Sequence, residues 1–248
     1  MKIRRIAVSN KWKNVSGKMP RKGCIHYGVK IKLIKNTDRY ILMSSITKKF
    51  EMATKADRTK QFIVEQTASV FNVKGFAGTS LTDMMEVTGL TKGSIYGNFK
   101  NKDEVAVAAF EHNFQQVSNY IRGKMEERPS IIEKLLVYPE TYRNFSKLSF
   151  LSNGCPIANT STEADDTHPQ LKEKANEALT YWRNSVEKLL KAGIKNDEIK
   201  PDVNVLEFTS ILTALIQGAM LHAKSSGKMN YLNASMNYLE SMIRELKN

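Results

Sequence analysis

The apolar and polar positions between residues 79 and 102 predict two short helices joined by a tight turn. Two groups of apolar residues recur at helical spacing, and Gly89 separates them. The groups are Leu81, Met84 and Met85, then Leu90, Ile95 and Phe99. A glycine suits the left-handed position that often ends a helix, because it carries no side chain that would be strained there. We therefore expect a turn at Gly89.

The second short helix presents small and polar residues on its outer side. Thr91 precedes it, and its hydroxyl can accept a hydrogen bond from a free backbone N–H of the first turn. With Ile95 and Phe99 facing inward, the outward positions are Lys92, Ser94, Gly97 and Asn98. This layout fits a helix-turn-helix whose second helix enters a major groove. The same spacing also fits a helical hairpin whose polar side simply faces water.

The remaining periodicity from residue 52 onward is also helical. A first helix over about 57–74 ends at Gly75, and a long helix follows Phe99 as far as Pro129. Further helices are predicted over 130–150, 169–193, 203–224 and 229–247. Residues 152–170 contain a glycine, two prolines and many small polar residues, so at least part of them is loop.

The net charge of +13 is concentrated at the N-terminus. Residues 1–51 hold 14 of the 38 basic residues and two of the 25 acidic ones, whereas the remainder is nearly neutral. These first residues have no apolar core of a signal peptide. We expect an upstream extension, translated or wrongly annotated, without a dedicated role. A basic arm that adds non-specific DNA affinity and a targeting segment are the alternatives.

Composition narrows the class of protein further. A hydrophobic content of 41% is typical of a globular chain. The two cysteines, Cys24 and Cys155, cannot form a disulfide framework, and a reducing cytoplasm is the simplest setting. The uncharged stretch 208–223 is shorter than a membrane span of about twenty residues, which favours a buried helix. No phosphate-binding loop, nucleophile elbow or zinc spacing indicates an enzyme.

The stretch TGLTKGSIYGNFKNKDEV resembles the DNA-binding signature of the tetracycline-repressor (TetR) family of bacterial transcriptional regulators. The similarity covers about residues 55–110. It implies an all-α fold with a three-helix DNA-binding head, residues 52–102, and a helical effector-binding and dimerisation body, residues 103–248. Gly97 and Asn98 depart from the family, which often has an aromatic residue and then His or Tyr, and Met85 replaces a smaller residue. We expect a cytoplasmic regulator without a cofactor. A helical enzyme and an interaction module that does not bind DNA are the alternatives.

Ten residues of the head are candidates for DNA contact. They are Thr79, Ser80, Thr91, Lys92, Gly93, Ser94, Tyr96, Gly97, Asn98 and Lys102. Helix N-termini attract phosphate, which favours backbone contacts near Thr79, Ser80 and Lys102. Lys92 donates either to guanine or to phosphate, and the sequence does not separate the two. A two-fold dimer would present two such helices to palindromic DNA.

The body offers candidates for a small-molecule site, although ordinary core packing explains the same residues. They are Tyr142, Phe145, Phe150, Cys155, Trp182, Met220 and His222. Cys155 is also a candidate sensor of electrophiles or oxidants, against the alternative of a buried inert thiol. Helices 203–224 and 229–247 are expected to form a homodimer, because a helix that is apolar on most sides needs a second surface.

A metal site near the end of the predicted loop is the weaker of two alternatives. Glu163, Asp165, Asp166 and His168 carry ligand atoms. We favour a cap instead, in which Asp165, Asp166 and Thr167 begin the helix at Pro169.

Overall fold

The computed structural model describes residues 54–248 of the chain. The predictions for the N-terminal extension, residues 1–51, lie outside the described residues. Nine α-helices follow one another in this part of the chain, and the all-α prediction is confirmed. They are α1 (Lys55–Gly78), α2 (Leu81–Thr88), α3 (Lys92–Tyr96), α4 (Lys102–Glu126), α5 (Ile131–Arg143), α6 (Pro156–Ala164), α7 (Pro169–Lys195), α8 (Val205–Ser226) and α9 (Asn230–Glu245).

The first three helices pack around a small apolar core that α4 completes. Ile63 of α1, Met84 of α2 and Ile95 of α3 are fully buried together with Phe99. Asn113 of α4 donates its side-chain amide to the Ala68 carbonyl of α1 at 2.7 Å. The head is therefore held against the long helix α4 by both apolar packing and a buried hydrogen bond.

Side-chain caps determine where the head helices begin. Ser80 accepts a hydrogen bond from the backbone N–H of Asp83, and the Asp83 carboxylate accepts from the Ser80 N–H in return, which forms a capping box before α2. Asn101 caps α4 through the Glu104 N–H at 2.9 Å. These pairs satisfy backbone donors that a helix leaves free in its first turn.

The Asp83 carboxylate makes the head sensitive to acid. The Lys74 ammonium, followed by the N–H and hydroxyl of Ser80, holds the pKa of Asp83 well below its usual 3.8. A lowered folded-state pKa stabilises the fold above the unfolded value, and this contribution is lost as the pH falls below it. We expect the free energy of unfolding of Asp83→Asn to fall less than that of the wild type between about pH 5 and about pH 2.5, as measured by urea unfolding. The exposed Asp202 supplies the control variant Asp202→Asn; equal slopes for Asp83→Asn and the wild type would contradict the prediction.

Three elements of the body differ from the sequence prediction. The helix expected over 130–150 ends at Arg143, because Asn144 donates its side-chain amide to the Glu140 carbonyl at 2.9 Å and closes the last turn. Residues 152–155 and 165–168 lie outside helices, as expected of part of this segment, but the nine-residue helix α6 between them, with Pro156 at its first position, was not predicted. The residue that caps α7 is His168, whose Nδ1 accepts from the Leu171 N–H at 3.2 Å, and the predicted cap by the preceding residues is wrong.

The C-terminal helices α8 and α9 pack against each other and against the rest of the body. Their extents agree closely with the predicted 203–224 and 229–247. At 22 residues, α8 is longer than the uncharged stretch suggested, and it passes the length and composition test for a membrane span, as core helices of soluble proteins also do. The apolar side chains Leu206, Ile211 and Leu221 of α8 are exposed, so α8 retains an apolar surface that needs cover.

Candidate nucleic-acid interface and ligand cavity

The turn between α2 and α3 has the geometry that the sequence predicts. Gly89 ends α2 with φ of 65° in the left-handed region and donates its N–H to the Met85 carbonyl at 2.9 Å. Thr91 caps α3 by accepting from the Ser94 N–H at 3.2 Å. Ile95 anchors α3 because its side chain is fully buried. A short helix is thus fixed at both ends with one face turned outward.

The outward face of α3 is polar and open. Lys92, Gly93, Ser94 and Gly97 are exposed. Lys92 forms no ion pair or side-chain hydrogen bond with the described residues, so its ammonium is available to a ligand. Asn98 is half-buried and donates its amide to the Ser94 carbonyl at 2.8 Å, which leaves its carbonyl oxygen free to accept.

Four further candidates differ in how accessible they are. The Thr79 side chain is fully buried and donates to the Gly75 carbonyl at 2.6 Å, so its hydroxyl is unavailable for the predicted phosphate contact. Ser80 is exposed at the α2 N-terminus, and Tyr96 is half-buried. Lys102 places its Nζ 4.4 Å from the centre of the Phe76 ring, and this stacking orients the ammonium at the start of α4.

The body contains a cavity of about 110 Å³ between α4, α5, α6 and α7. Its walls are formed by Phe114, Val117, Ser118, Ile121, Arg122, Met125, Tyr138, Tyr142, Cys155, Pro156, Ile157, Tyr181, Trp182 and Ser185. Tyr142, Cys155 and Trp182 were predicted. The sequence analysis did not identify the side of the cavity that α4 forms. The α4 residues concerned recur at helical spacing and lie on one face of the helix, at positions 114, 117, 118, 121, 122 and 125.

The other four predicted ligand residues do not line this cavity. Phe145 is buried in the core, and Phe150 packs its ring 5.2 Å from Tyr120. Met220 is buried on α8, beside a separate groove between α6 and α8. His222 is exposed, with its ring 6.1 Å from Tyr231. Aromatic or apolar character alone could not separate wall residues from the surrounding core and surface.

A carboxylate from the body holds the end of the first head helix. Gly75 breaks the regular helix of α1 with φ of 71°, and one further turn follows this kink as far as Gly78. The Glu163 carboxylate of α6 accepts from the freed backbone N–H groups of Phe76 at 2.8 Å and Ala77 at 2.9 Å. We call these contacts the Glu163 clamp. The carboxylate accepts from N–H groups that the kink leaves without helical partners, and the kink lies at Gly75, where the sequence predicts the end of the first helix.

His168 adds a second link at the same junction. Because its Nδ1 accepts from Leu171, its Nε2 carries the proton and donates to the Asp103 carboxylate at 3.0 Å. Its ring packs edge-on against Phe76 with centroids 4.3 Å apart. Glu163 and His168 therefore have structural partners, and the described part of the chain contains no cluster of three metal-ligating side chains.

Comparisons with known proteins agree with this architecture. Residues 63–109 match the model of bacterial regulatory proteins of the tetR family, and residues 132–239 match that of the tetracyclin repressor-like C-terminal domain. A solved structure of a TetR-family transcriptional regulator from Cytophaga hutchinsonii is 44% identical with a TM-score of 0.75, and the match covers 78% of this chain and 97% of that one. The chain belongs to the TetR family.

Two other relatives support membership of the TetR family. A TetR transcriptional regulator from Chloroflexus aurantiacus is 30% identical with a TM-score of 0.74, covering 78% of this chain and 98% of that chain. The HTH-type transcriptional repressor NemR from Escherichia coli (strain K12) is 26% identical over 179 residues, which are 68% of this chain and 86% of that protein. Family and relatives identify this chain as a transcriptional regulator with a ligand-binding C-terminal domain, and not as an enzyme.

Cys155 of this TetR-family protein is poorly placed to react as a thiolate. It is 2% exposed, and burial raises the pKa of its thiol more than the hydrogen bonds from the Ala158 and Ile157 backbone lower it. We expect iodoacetamide to alkylate Cys155 at least about tenfold more slowly in the native protein than in urea, measured by mass spectrometry in a Cys24→Ser background. Equal alkylation rates in the native protein and in urea would contradict this expectation and would favour the hypothesis that Cys155 is a sensor.

Proposed function

We propose that the chain is a dimeric repressor that binds palindromic operator DNA and releases it when a small molecule enters the cavity. The observation that carries the proposal is the pairing of two features in one compact unit. A polar helix, α3, is exposed at one end, and an apolar cavity lies inside the helical body. The domain division at residue 102, with residues 1–51 as an extension, is part of this proposal, as is a cytoplasmic location.

At the DNA, α3 lies in the major groove. Lys92 donates to guanine or to a phosphate, and Ser94 and Asn98 are available to read bases or bind the backbone. Gly93 and Gly97 permit close approach. A Cβ on Gly97 would lie 3.0 Å from the Gly93 carbonyl oxygen, so the aromatic residue common in the family would require a local shift here. Ser80, Tyr96 and Lys102 contact the phosphate backbone of the DNA and so position the head. Thr91 caps α3, the helix that lies in the groove.

Dimerisation uses the apolar surface that α8 and α9 leave uncovered. Leu206 and Leu221 of α8 and Tyr231 and Tyr238 of α9 are each more than half exposed. Large apolar side chains at this exposure favour association, because burial removes their area from water. A second copy of the chain related by a two-fold axis covers the surface and presents two copies of α3 to the DNA.

The helix α6 connects the cavity with the head. Its first residues, Pro156 and Ile157, line the cavity, and Glu163 near its other end forms the Glu163 clamp on α1. A ligand that displaces the cavity end of α6 therefore moves the contacts that orient the head. Because ligand and DNA favour different positions of α6, each weakens binding of the other.

The proposal is tested by selecting fragments of the source genome on the purified full-length protein and sequencing those retained. We expect an enriched motif with two inverted half-sites, spaced so that both copies of α3 enter the groove from one side of the duplex. Retention of random fragments without a shared motif would contradict sequence-specific regulation.

A further inference from the structure

Two polar groups of the cavity are buried without adequate hydrogen-bond partners. Trp182 is 5% exposed, and its indole N–H lies near the Tyr138 hydroxyl but forms no hydrogen bond of adequate geometry within residues 54–248. Tyr138 is 2% exposed, and its hydroxyl donates only to Ser185 Oγ at 3.5 Å, the outer limit of a hydrogen bond. Their rings lie 6.1 Å apart, so the two groups share one region of the cavity wall.

Both groups act as donors at neutral pH. An indole nitrogen can only donate. Burial raises the pKa of Tyr138 to about 12, against smaller lowering effects from Ser185 and Trp182, so the phenol keeps its proton. Buried donors that lack partners are unfavourable, because they have lost their hydrogen bonds to water. A ligand that brings an acceptor atom removes this penalty.

The other walls of the cavity determine the size and the apolar character of the ligand. Its other walls are mainly apolar and aromatic, including Phe114, Ile121 and Tyr142. At about 110 Å³ it is somewhat smaller than an apolar cavity of about 150 Å³ that accommodates benzene. A single ring or a short branched chain fills such a space with modest adjustment of the walls.

The charges around the cavity favour an uncharged ligand. Among the described residues that line it, Arg122 is the only charged one. Arg122 is exposed and donates to the Asn119 side chain at 2.7 Å, so it belongs to the outer rim and not to the buried polar region. An anion placed against Tyr138 and Trp182 would lose its hydration without gaining a buried cation.

We propose that the cavity binds an uncharged, ring-sized apolar molecule that carries a carbonyl or ether oxygen, and that Tyr138 and Trp182 donate hydrogen bonds to that oxygen. The inference rests on the proposed function only in taking this cavity as the effector site.

The proposal is tested with three probes of similar shape on the full-length protein. Acetophenone has the carbonyl, α-methylstyrene replaces its oxygen by a CH₂ group, and benzoate carries a charge. Affinities come from ligand-observed NMR titrations. We expect acetophenone to bind about five- to tenfold more tightly than α-methylstyrene and more tightly than benzoate.

The indole N–H signal gives a direct readout of the hydrogen bond. The chain has two tryptophans, so ¹⁵N labelling yields two indole signals, and Trp182→Phe assigns the one that disappears. We expect acetophenone to move the Trp182 signal downfield and α-methylstyrene to lack this effect.

Variants of the two donors and one control complete the test. Tyr138→Phe and Trp182→Phe each reduce the preference for acetophenone over α-methylstyrene to about twofold or less. Tyr120→Phe removes a hydroxyl from a half-buried tyrosine that does not line the cavity and keeps the wild-type preference.

Four results would overturn the inference: equal affinity for the two neutral probes, a preference that survives both donor variants, tighter binding of benzoate, or no binding of any probe. Operator binding is measured on the same preparation. If any of these four results is found and the protein still binds its operator, the ligand class is refuted and the proposed regulatory function stands. If the protein shows no preference for the operator, the proposed regulatory function itself is refuted.

Discussion

Replacing Lys92 by alanine lowers operator affinity about tenfold or more without unfolding the protein. Lys92 begins α3 on the exposed face of the head, and its ammonium has no partner among the described residues. A lysine that donates to a base edge or a phosphate contributes roughly 1–3 kcal/mol at a specific site. Because α3 is anchored by Ile95 and capped by Thr91, the truncation leaves the helix in place. Fluorescence anisotropy with labelled operator measures the affinity, and circular dichroism verifies the fold.

The control for Lys92 lies at the far end of the body. Lys195→Ala removes the same charge from the last residue of α7, a helix that begins beside the head at His168 and extends roughly 40 Å from it. We expect this variant to retain wild-type affinity. Equal losses for the two variants would show that Lys92 acts only through net charge, and unchanged affinity for Lys92→Ala would refute the assignment of α3 as the reading helix.

Replacing Glu163 by alanine releases the end of α1 and destabilises the junction between head and body. The carboxylate accepts two backbone hydrogen bonds, from Phe76 and Ala77. Charged hydrogen bonds of this kind contribute roughly 1.5–3 kcal/mol each when buried, and partial exposure reduces the expected total loss of unfolding free energy to about 1–3 kcal/mol. We expect hydrogen exchange at the Phe76 and Ala77 amides to accelerate at least about tenfold, and operator affinity to fall because the head is less firmly oriented.

Two further variants distinguish the clamp from a general effect of charge. Glu163→Gln keeps one carbonyl acceptor and is expected to be intermediate in stability and exchange. Glu173→Ala removes a solvent-exposed carboxylate from α7 and is expected to match the wild type. Unchanged protection of Phe76 and Ala77 in Glu163→Ala would show that the clamp does not maintain the end of α1.

The elements that depend on local interactions could be predicted from the sequence. The turn at Gly89, the Thr91 cap and the inward positions of Ile95 and Phe99 are set by residues a few positions apart. Helix propensity, caps and glycine conformation act over this range. The prediction of the helix-turn-helix therefore succeeded.

The features that the sequence did not reveal depend on residues distant in sequence. The turn after the kink at Gly75 is held by Glu163, 87 positions beyond Phe76, which supplies its hydrogen-bond acceptors. Thr79 looked accessible as a hydroxyl near a helix start, but the fold buries it. Trp182 and His222 carry similar polar aromatic character, and only tertiary packing places the first at the cavity and the second in solvent. Local patterns contain no information on such long-range placement.

Sequence-specific DNA binding is tested most directly by the affinity of the purified protein for its selected operator and for a scrambled duplex of equal length, across a salt series. We predict a preference of about a thousandfold or more for the operator, with a two-fold symmetric footprint. Equal binding to both duplexes that weakens steeply with salt would show that the head binds DNA phosphates without sequence specificity. Absence of binding to either duplex would contradict the assignment of this chain as a DNA-binding regulator.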